Sequence, residues 1–244
     1  MDLVASRQII IQDNYQQILG RIEKTARRAG RSPTEIRMVV VTKTQPADVI
    51  KMLINAGAMD FGENYIEEAL PKIQSLELNK ELRWHMIGHV QSRKALSVCQ
   101  YFQYLHSADN SKLAERLSKF CLTLDKRLPV WLEFNVSGEE SKYGWNVTAI
   151  NNWEIILPEI EKILALPNLD ILGVMTVPPF SKNPEDSRPY YKQLRKFKEY
   201  LIDHFQLTGF QELSMGMSSD FEVAIQEGST CVRIGQAILG PRTG

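Results

Sequence analysis

The sequence predicts a (β/α)8 TIM-type barrel with one extra helix at its front. Three observations predict it. Eight candidate strands begin near Arg37, Met59, Arg83, Gln103, Pro129, Asp170, Glu212 and Cys231, at intervals of about 30 residues, one β-plus-α unit. The runs Met38-Val39-Val40-Val41 and Val130-Trp131-Leu132-Glu133-Phe134 are nearly continuous rather than alternating, as in parallel strands buried on both faces. The chain is 244 residues long, the usual size of such a barrel. A doubly wound open sheet shares this alternation, because pattern alone does not show closure.

The elements follow in order. An opening helix spans about residues 7–29 and stops at Gly30. Pro46 suits the first turn of a helix running to Ala56, with Gly57 as its stop. Asp109 or Asn110 can cap a helix whose apolar stripe is Leu113, Leu117, Phe120 and Leu124. After Pro189 the stripe recurs as Tyr191, Leu194, Phe197, Leu201 and Phe205. The polar segments 137–143 and 177–184 are short enough to be loops. Residues 1–244 are therefore read as a single domain, with 1–35 a helical segment packed on the barrel.

Composition excludes several functions. Twenty-nine basic residues balance 29 acidic ones, which removes the basic footprint of a nucleic-acid binder. The longest apolar runs, 9–11, 38–41 and 171–174, are far too short to span a bilayer, and no signal peptide opens the chain. Cys99, Cys121 and Cys231 are odd in number, widely spaced and set among apolar neighbours. They read as reduced packing residues of a cytoplasmic protein, with no metal site.

In a barrel, function sits where strands end, and the strand ends carry the unusual residues. Lys43 closes an all-Val run. Burial in a barrel mouth favours the neutral amine that a Schiff base needs, although for the residue taken alone a lysine that starts the loop and reaches water is the commoner case. Ser219 and Glu222 fit a capping box before Val223-Ala224-Ile225. That helix start, beside Ser214-Met215-Gly216-Met217-Ser218 and facing Arg233-Ile234-Gly235, suits an anion. Phosphate sites of barrels commonly use the last two loops, while a plain capped helix and a tight turn give the same pattern. His85 reads as strand-end packing, His89 as a polar lining residue, and His106 with Asp109 as a candidate acid–base pair. No nucleophile elbow, dinucleotide fingerprint or Walker loop is present.

These motifs together resemble the pyridoxal 5′-phosphate (PLP) homeostasis protein family, single-domain relatives of the alanine racemase N-terminal barrel. The resemblance runs from Val39 to Arg242 through Val41-Thr42-Lys43-Thr44, Phe61-Gly62-Glu63-Asn64-Tyr65, Trp84-His85-Met86-Ile87-Gly88-His89 and His106-Ser107-Ala108-Asp109. It continues through Asn135-Val136-Ser137, Gly173-Val174-Met175-Thr176, Ser214-Met215-Gly216-Met217-Ser218 and Val232-Arg233-Ile234-Gly235. It implies that Lys43 forms the internal aldimine with PLP and that Ser218 and Gly235 cradle its phosphate. Arg233 would face the pyridine nitrogen, with Asn64, Met175, Ser214 and Met217 around the ring. A cation at that nitrogen disfavours its protonation and leaves the ring a poorer electron sink.

The resemblance therefore implies a cytoplasmic, monomeric PLP-binding protein of vitamin B6 homeostasis and amino-acid and keto-acid balance, without substantial catalysis. The alternative is a racemase-like enzyme acting on amino acids. Alanine racemases add a C-terminal β domain that supplies a tyrosine base, and residues 240–244 after the eighth strand leave no room for it. The partners implied for the PLP-binding protein are PLP itself and PLP-requiring apoenzymes or regulatory proteins; a third reading is an interaction or regulatory module.

Overall fold

The protein is described from a computed structural model covering residues 3–77, 79 and 81–241; the end of the family resemblance, at Arg242, lies outside the described residues. Helix α1 (Leu3–Arg28) precedes β1 (Arg37–Val41), α2 (Ala47–Asn55), β2 (Asp60–Glu63) and α3 (Ile66–Ser75). Then come β3 (Arg83–Met86), α4 (Ala95–Tyr101), β4 (Tyr104–Ala108), α5 (Ser111–Thr123) and β5 (Leu128–Asn135). A short β6 (Trp145–Asn146) leads to α6 (Asn151–Leu164), β7 (Leu169–Met175) and α7 (Arg188–Phe205). The chain continues with β8 (Glu212–Met217), α8 (Phe221–Gln226), β9 (Cys231–Ile234) and α9 (Gln236–Leu239).

The strand order is β4-β3-β2-β1-β9-β8-β7-β5, all pairs parallel. One further pairing, β4 with β5 through Leu105↔Val130 and Ala108↔Leu132, joins the two ends. That pairing makes the sheet a closed eight-stranded barrel and rules out the open sheet. The two-residue β6 is an outer addition along the end of β5, Phe134 facing Trp145 in register.

Local signals explain most element ends. Pro46 caps α2 without a side-chain bond, and Gly57 leaves it at φ +100°, a conformation that only glycine adopts without strain. Between Asp109 and Asn110 the structure selects Asn110, whose Oδ1 accepts the Leu113 N–H at 2.9 Å. The stripe on α5 is rotated from the expected one: Leu113, Ala114, Leu117 and Cys121 are buried, while Leu124 at its end is exposed. On α7, Tyr191, Leu194, Phe197 and Leu201 are buried as the spacing predicts.

Helix α1 lies against α2, α8 and α9. Gln8 and Gln16 donate to the carbonyls of Met52 and Ala56, and Asn14 to that of Ile238 at 2.9 Å. Its Tyr15, Leu19 and Ile22 also reach a cleft of about 550 Å³ at the floor of the barrel, where Arg37, Asp60, Arg83 and Tyr104 begin their strands.

Candidate functional site

At the opposite end, where the strands finish, a cavity of about 640 Å³ opens between the loops after β1, β2, β7, β8 and β9. Lys43, Asn64, Met217, Ser218, Arg233 and Gly235 all line it. Met175 and Ser214, also read as ring neighbours, do not: both are buried in their strands, beneath the mouth.

The turn that carries Lys43 is pinned on both sides. Lys72, buried on α3, donates through Nζ to the Thr42 carbonyl at 3.0 Å, to Glu63 Oε1 at 2.9 Å and to Glu68 Oε1 at 2.5 Å. The Thr42 hydroxyl donates to the same Glu63 oxygen at 2.6 Å, and the Thr44 amide donates to Glu68. Thr44 itself sits at φ +65°, an uncommon conformation for a β-branched residue. Burial raises the Glu63 carboxyl above its ordinary range, opposed by the Thr42 hydroxyl and the Lys72 charge.

Across the cavity, two loops meet at one hydroxyl. Ser218 Oγ accepts the backbone N–H groups of Gly235 and Ala237, each at 3.2 Å. A Cβ at Gly235 would touch the Val41 Cβ and carbonyl at 3.2 Å, so bare backbone lets the two strand ends approach. Gly216, at φ +97°, has its missing Cβ 2.6 Å from that of Ala224. The capping box read from Ser219 and Glu222 does not form. Asp220 precedes α8 and accepts the Met217 N–H at 2.7 Å, while Glu222 turns to Arg21 of α1 at 2.9 Å. A long-range ion pair has taken the side chain that the local motif needs. The polar groups at this end of the cavity are therefore the Ser218 hydroxyl and the amides of the β9 turn, which close on one another here.

Arg233 forms the base of the cavity and is only 5% exposed. Its Nη1 donates to the Ser214 carbonyl at 2.8 Å and to Ser214 Oγ at 2.5 Å, and Nη2 donates to the Thr176 carbonyl at 2.8 Å. Three of the five guanidinium donors are thus fixed by protein. Burial lowers its affinity for the proton, yet a guanidinium starts so far above neutrality that it stays a cation. Nearby Glu133 on β5 is pushed up to about 7, by burial first and then by the Asp109 charge.

The histidines are placed differently from the sequence reading. His106 does not pair with Asp109; it contacts His85 and Ser214 inside the barrel. Asp109 instead bonds His89 Nδ1 at 2.8 Å, and the His89 ring stacks on Tyr143 at 3.8 Å between centroids. His85 is more than packing, since it bonds both His106 and Asp60. Sequence reasoning also missed Gln236 and Phe180, which line the cavity, and the Thr176 carbonyl that holds Arg233. Loop residues of this kind carry no periodic signal. Among the described residues no helix is long and apolar enough to cross a membrane.

A closed parallel barrel thus brings a lysine that follows its first strand and an arginine in its last to one cavity at the strand ends. The alanine racemase N-terminal domain family matches residues 14–243 of the sequence. The alanine racemase of Clostridium difficile shares the fold, at TM-score 0.68 and 15% identity over 95% of this chain and 58% of that one. Much nearer are proteins of that barrel type named pyridoxal phosphate homeostasis protein. The one from Aquifex aeolicus is 39% identical over 94% of this chain and 97% of its own length. That from Escherichia coli is 36% identical over 95% and 97%. PipY of Synechococcus elongatus, solved with PLP bound, superposes at TM-score 0.76 with 30% identity, over 90% of this chain and 100% of that one. The chain belongs to the pyridoxal phosphate homeostasis protein family.

Proposed function

We propose that this chain holds PLP in the cavity at its barrel mouth, as part of intracellular PLP homeostasis and amino-acid and keto-acid balance, and acts as a carrier rather than a racemase. The observation that carries the proposal is the convergence of Lys43, Arg233 and the Ser218–Gly235 cradle on one cavity. The donors suit a phosphorylated pyridine aldehyde in kind: neutral N–H and O–H groups for the phosphate, an amine for the aldehyde, a cation for the ring nitrogen. Asn64 adds a buried Oδ1 without a hydrogen-bond partner beside the same cavity.

The bound cofactor would supply an electrophilic aldehyde, which joins an amine through C=N with loss of water. The chain's residues then have separate tasks. Lys43 would supply the amine, from a turn held at Thr42 and Thr44. Ser218 would hold the phosphate with its hydroxyl hydrogen, and the amides of Gly235 and Ala237 that now donate to its oxygen would turn to the phosphate. Arg233 would disfavour protonation of the ring nitrogen and so weaken electron withdrawal. The reading takes residues 1–244 as one binding unit, cytoplasmic and monomeric, with 1–35 packed on the barrel. PLP-requiring apoenzymes would be the recipients.

The test is spectroscopic. With added PLP the protein should absorb in the visible, and borohydride should fix the adduct on the peptide containing residue 43. Lys43→Ala should lose both; a reducible adduct at another lysine in the wild type overturns the assignment. Incubation with L- and D-amino acids should show negligible α-hydrogen exchange. Turnover of about 1 s⁻¹ or more would make the protein an enzyme.

A further inference from the structure

The barrel interior carries a line of polar side chains where aliphatic layers usually fill the space. It begins at the floor with Asp60 on β2, held by Arg83 through two bonds of 2.7 and 2.6 Å. Asp60 Oδ1 meets His85 Nε2 at 2.9 Å, His85 Nδ1 meets His106 Nε2 at 2.9 Å, and His106 Nδ1 meets Ser214 Oγ at 2.7 Å. Ser214 Oγ meets Arg233 Nη1 at 2.5 Å. The step from His106 on β4 to Ser214 on β8 crosses the lumen, since these strands are not neighbours in the barrel. Both imidazoles are completely buried.

The direction of every bond follows from the two ends. A carboxylate only accepts, so His85 Nε2 carries the hydrogen and His85 Nδ1 is a bare acceptor. His106 must then donate through Nε2, which leaves its Nδ1 to accept the Ser214 O–H. With its hydrogen committed, the Ser214 oxygen turns its lone pairs to Arg233, which only donates. A second proton on His85 would set its Nδ1–H against the His106 Nε2–H, and one on His106 would take the place of the Ser214 hydrogen and leave that hydroxyl facing two cations in a dry interior. Burial agrees with this, holding His85 down at about 4 against the pull of Asp60 and, with its cationic neighbours, His106 well below its ordinary value.

We propose that Asp60, His85, His106 and Ser214 are a one-way hydrogen-bonded relay whose task is to fix the Arg233 guanidinium at the base of the cavity. His106 and Asp60 are thus positioning residues for whatever Arg233 faces. That its partner is the ring of PLP rests on the functional reading above; the relay itself does not.

The test uses the full chain without cofactor, with ring nitrogens of its four histidines followed by ¹⁵N NMR. His85 and His106 should both be neutral Nε2–H tautomers. Asp60→Leu removes the acceptor at one end and should convert or mix the tautomer of His106, a residue it does not touch; Asp60→Asn, whose carbonyl still accepts, should restore it. Ser214→Ala, which barely perturbs packing, should shift the His106 Nδ1 resonance to that of a nitrogen without a donor. With PLP added, Asp60→Leu and Ser214→Ala should each weaken its retention roughly tenfold, the scale of one bond to a charged group, and alter the visible band, while borohydride still labels Lys43. An Nδ1–H tautomer at His106 in the wild type, or a His106 signal indifferent to Asp60→Leu, overturns the relay. If the wild type takes up no PLP, the functional reading fails and the tautomer result still decides the relay.

Discussion

Replacing Lys72 by Met should show how firmly the Lys43 turn is held. The ammonium serves Thr42, Glu63 and Glu68 at 2.5–3.0 Å, and Glu63 is completely buried with Oε2 already unpartnered. Removing one member of a buried pair leaves an uncompensated charge, a loss of about 3–5 kcal/mol. The electrostatic part has a ceiling, because Glu63 can escape by binding a proton. From an ordinary value of 4.5 that costs at most about 3.4 kcal/mol at pH 7, at about 1.36 kcal/mol per pH unit. The lost bond to the Thr42 carbonyl adds about 1 kcal/mol.

The ceiling has a pH signature. In the variant the folded-state Glu63 carboxyl titrates above its unfolded value, so the folded state binds the extra proton and stability falls as pH rises above about 4.5. Urea unfolding should therefore show a deficit of at most about 4 kcal/mol at pH 7 that shrinks at pH 5 by less than about 2.7 kcal/mol, because burial already raises Glu63 in the wild type. Adding Glu63→Gln should recover much of it at pH 7 and abolish the pH dependence. A deficit below about 1 kcal/mol, equal at both pH values, would refute the view that this cluster pins the turn.

The other expectations are more local. Glu133, pushed up to about 7, binds its extra proton in the folded state, so its cost to stability appears between pH 4.5 and 7 and is complete above that. Glu133→Gln should gain on the wild type by at most about 3 kcal/mol between pH 5 and pH 8 in urea titrations, and no gain would place the carboxyl in water. Gly216→Ala combines a left-handed φ with a Cβ 2.6 Å from Ala224, and should cost about 2 kcal/mol or more, read as a lowered thermal midpoint. Asn110→Ala removes the cap of α5 and should cost about 1 kcal/mol in the same assay.

Strand starts were legible from the recurring β-plus-α spacing, helped by the nearly unbroken apolar runs of β1 and β5, and those at 37, 83, 212 and 231 fall on the observed residues. Closure was not legible, since it rests on the β4–β5 pairing, which no single segment encodes. Short-range signals failed where a distant partner offered more. The Ser219 and Glu222 motif lost its carboxylate to Arg21, 201 residues away in sequence. His106 passed over the nearby Asp109 for Ser214, 108 residues along the chain. Lys43 and Gly235 stood out because they interrupt their surroundings, a lysine after valines and a glycine after a strand. Asp60 and Lys72 did not, because a charged residue at a strand or helix surface is ordinary until the fold buries it.

The buried polar groups gain meaning as a set. An arginine in a barrel core is costly unless its donors are met and its charge is balanced, and here carbonyls and a hydroxyl meet three donors while the carboxyls of Glu133 and Asp220 act on its charge. Aliphatic side chains would stabilise the same core more simply, so the arrangement makes physical sense where a fixed cation under the cavity is needed. A fixed cation against a pyridine nitrogen both anchors the ring and leaves it a weak electron sink. Firm retention and chemical quiet, the two properties required of a PLP carrier, would then come from one side chain, whose position is set by residues that never touch the cofactor.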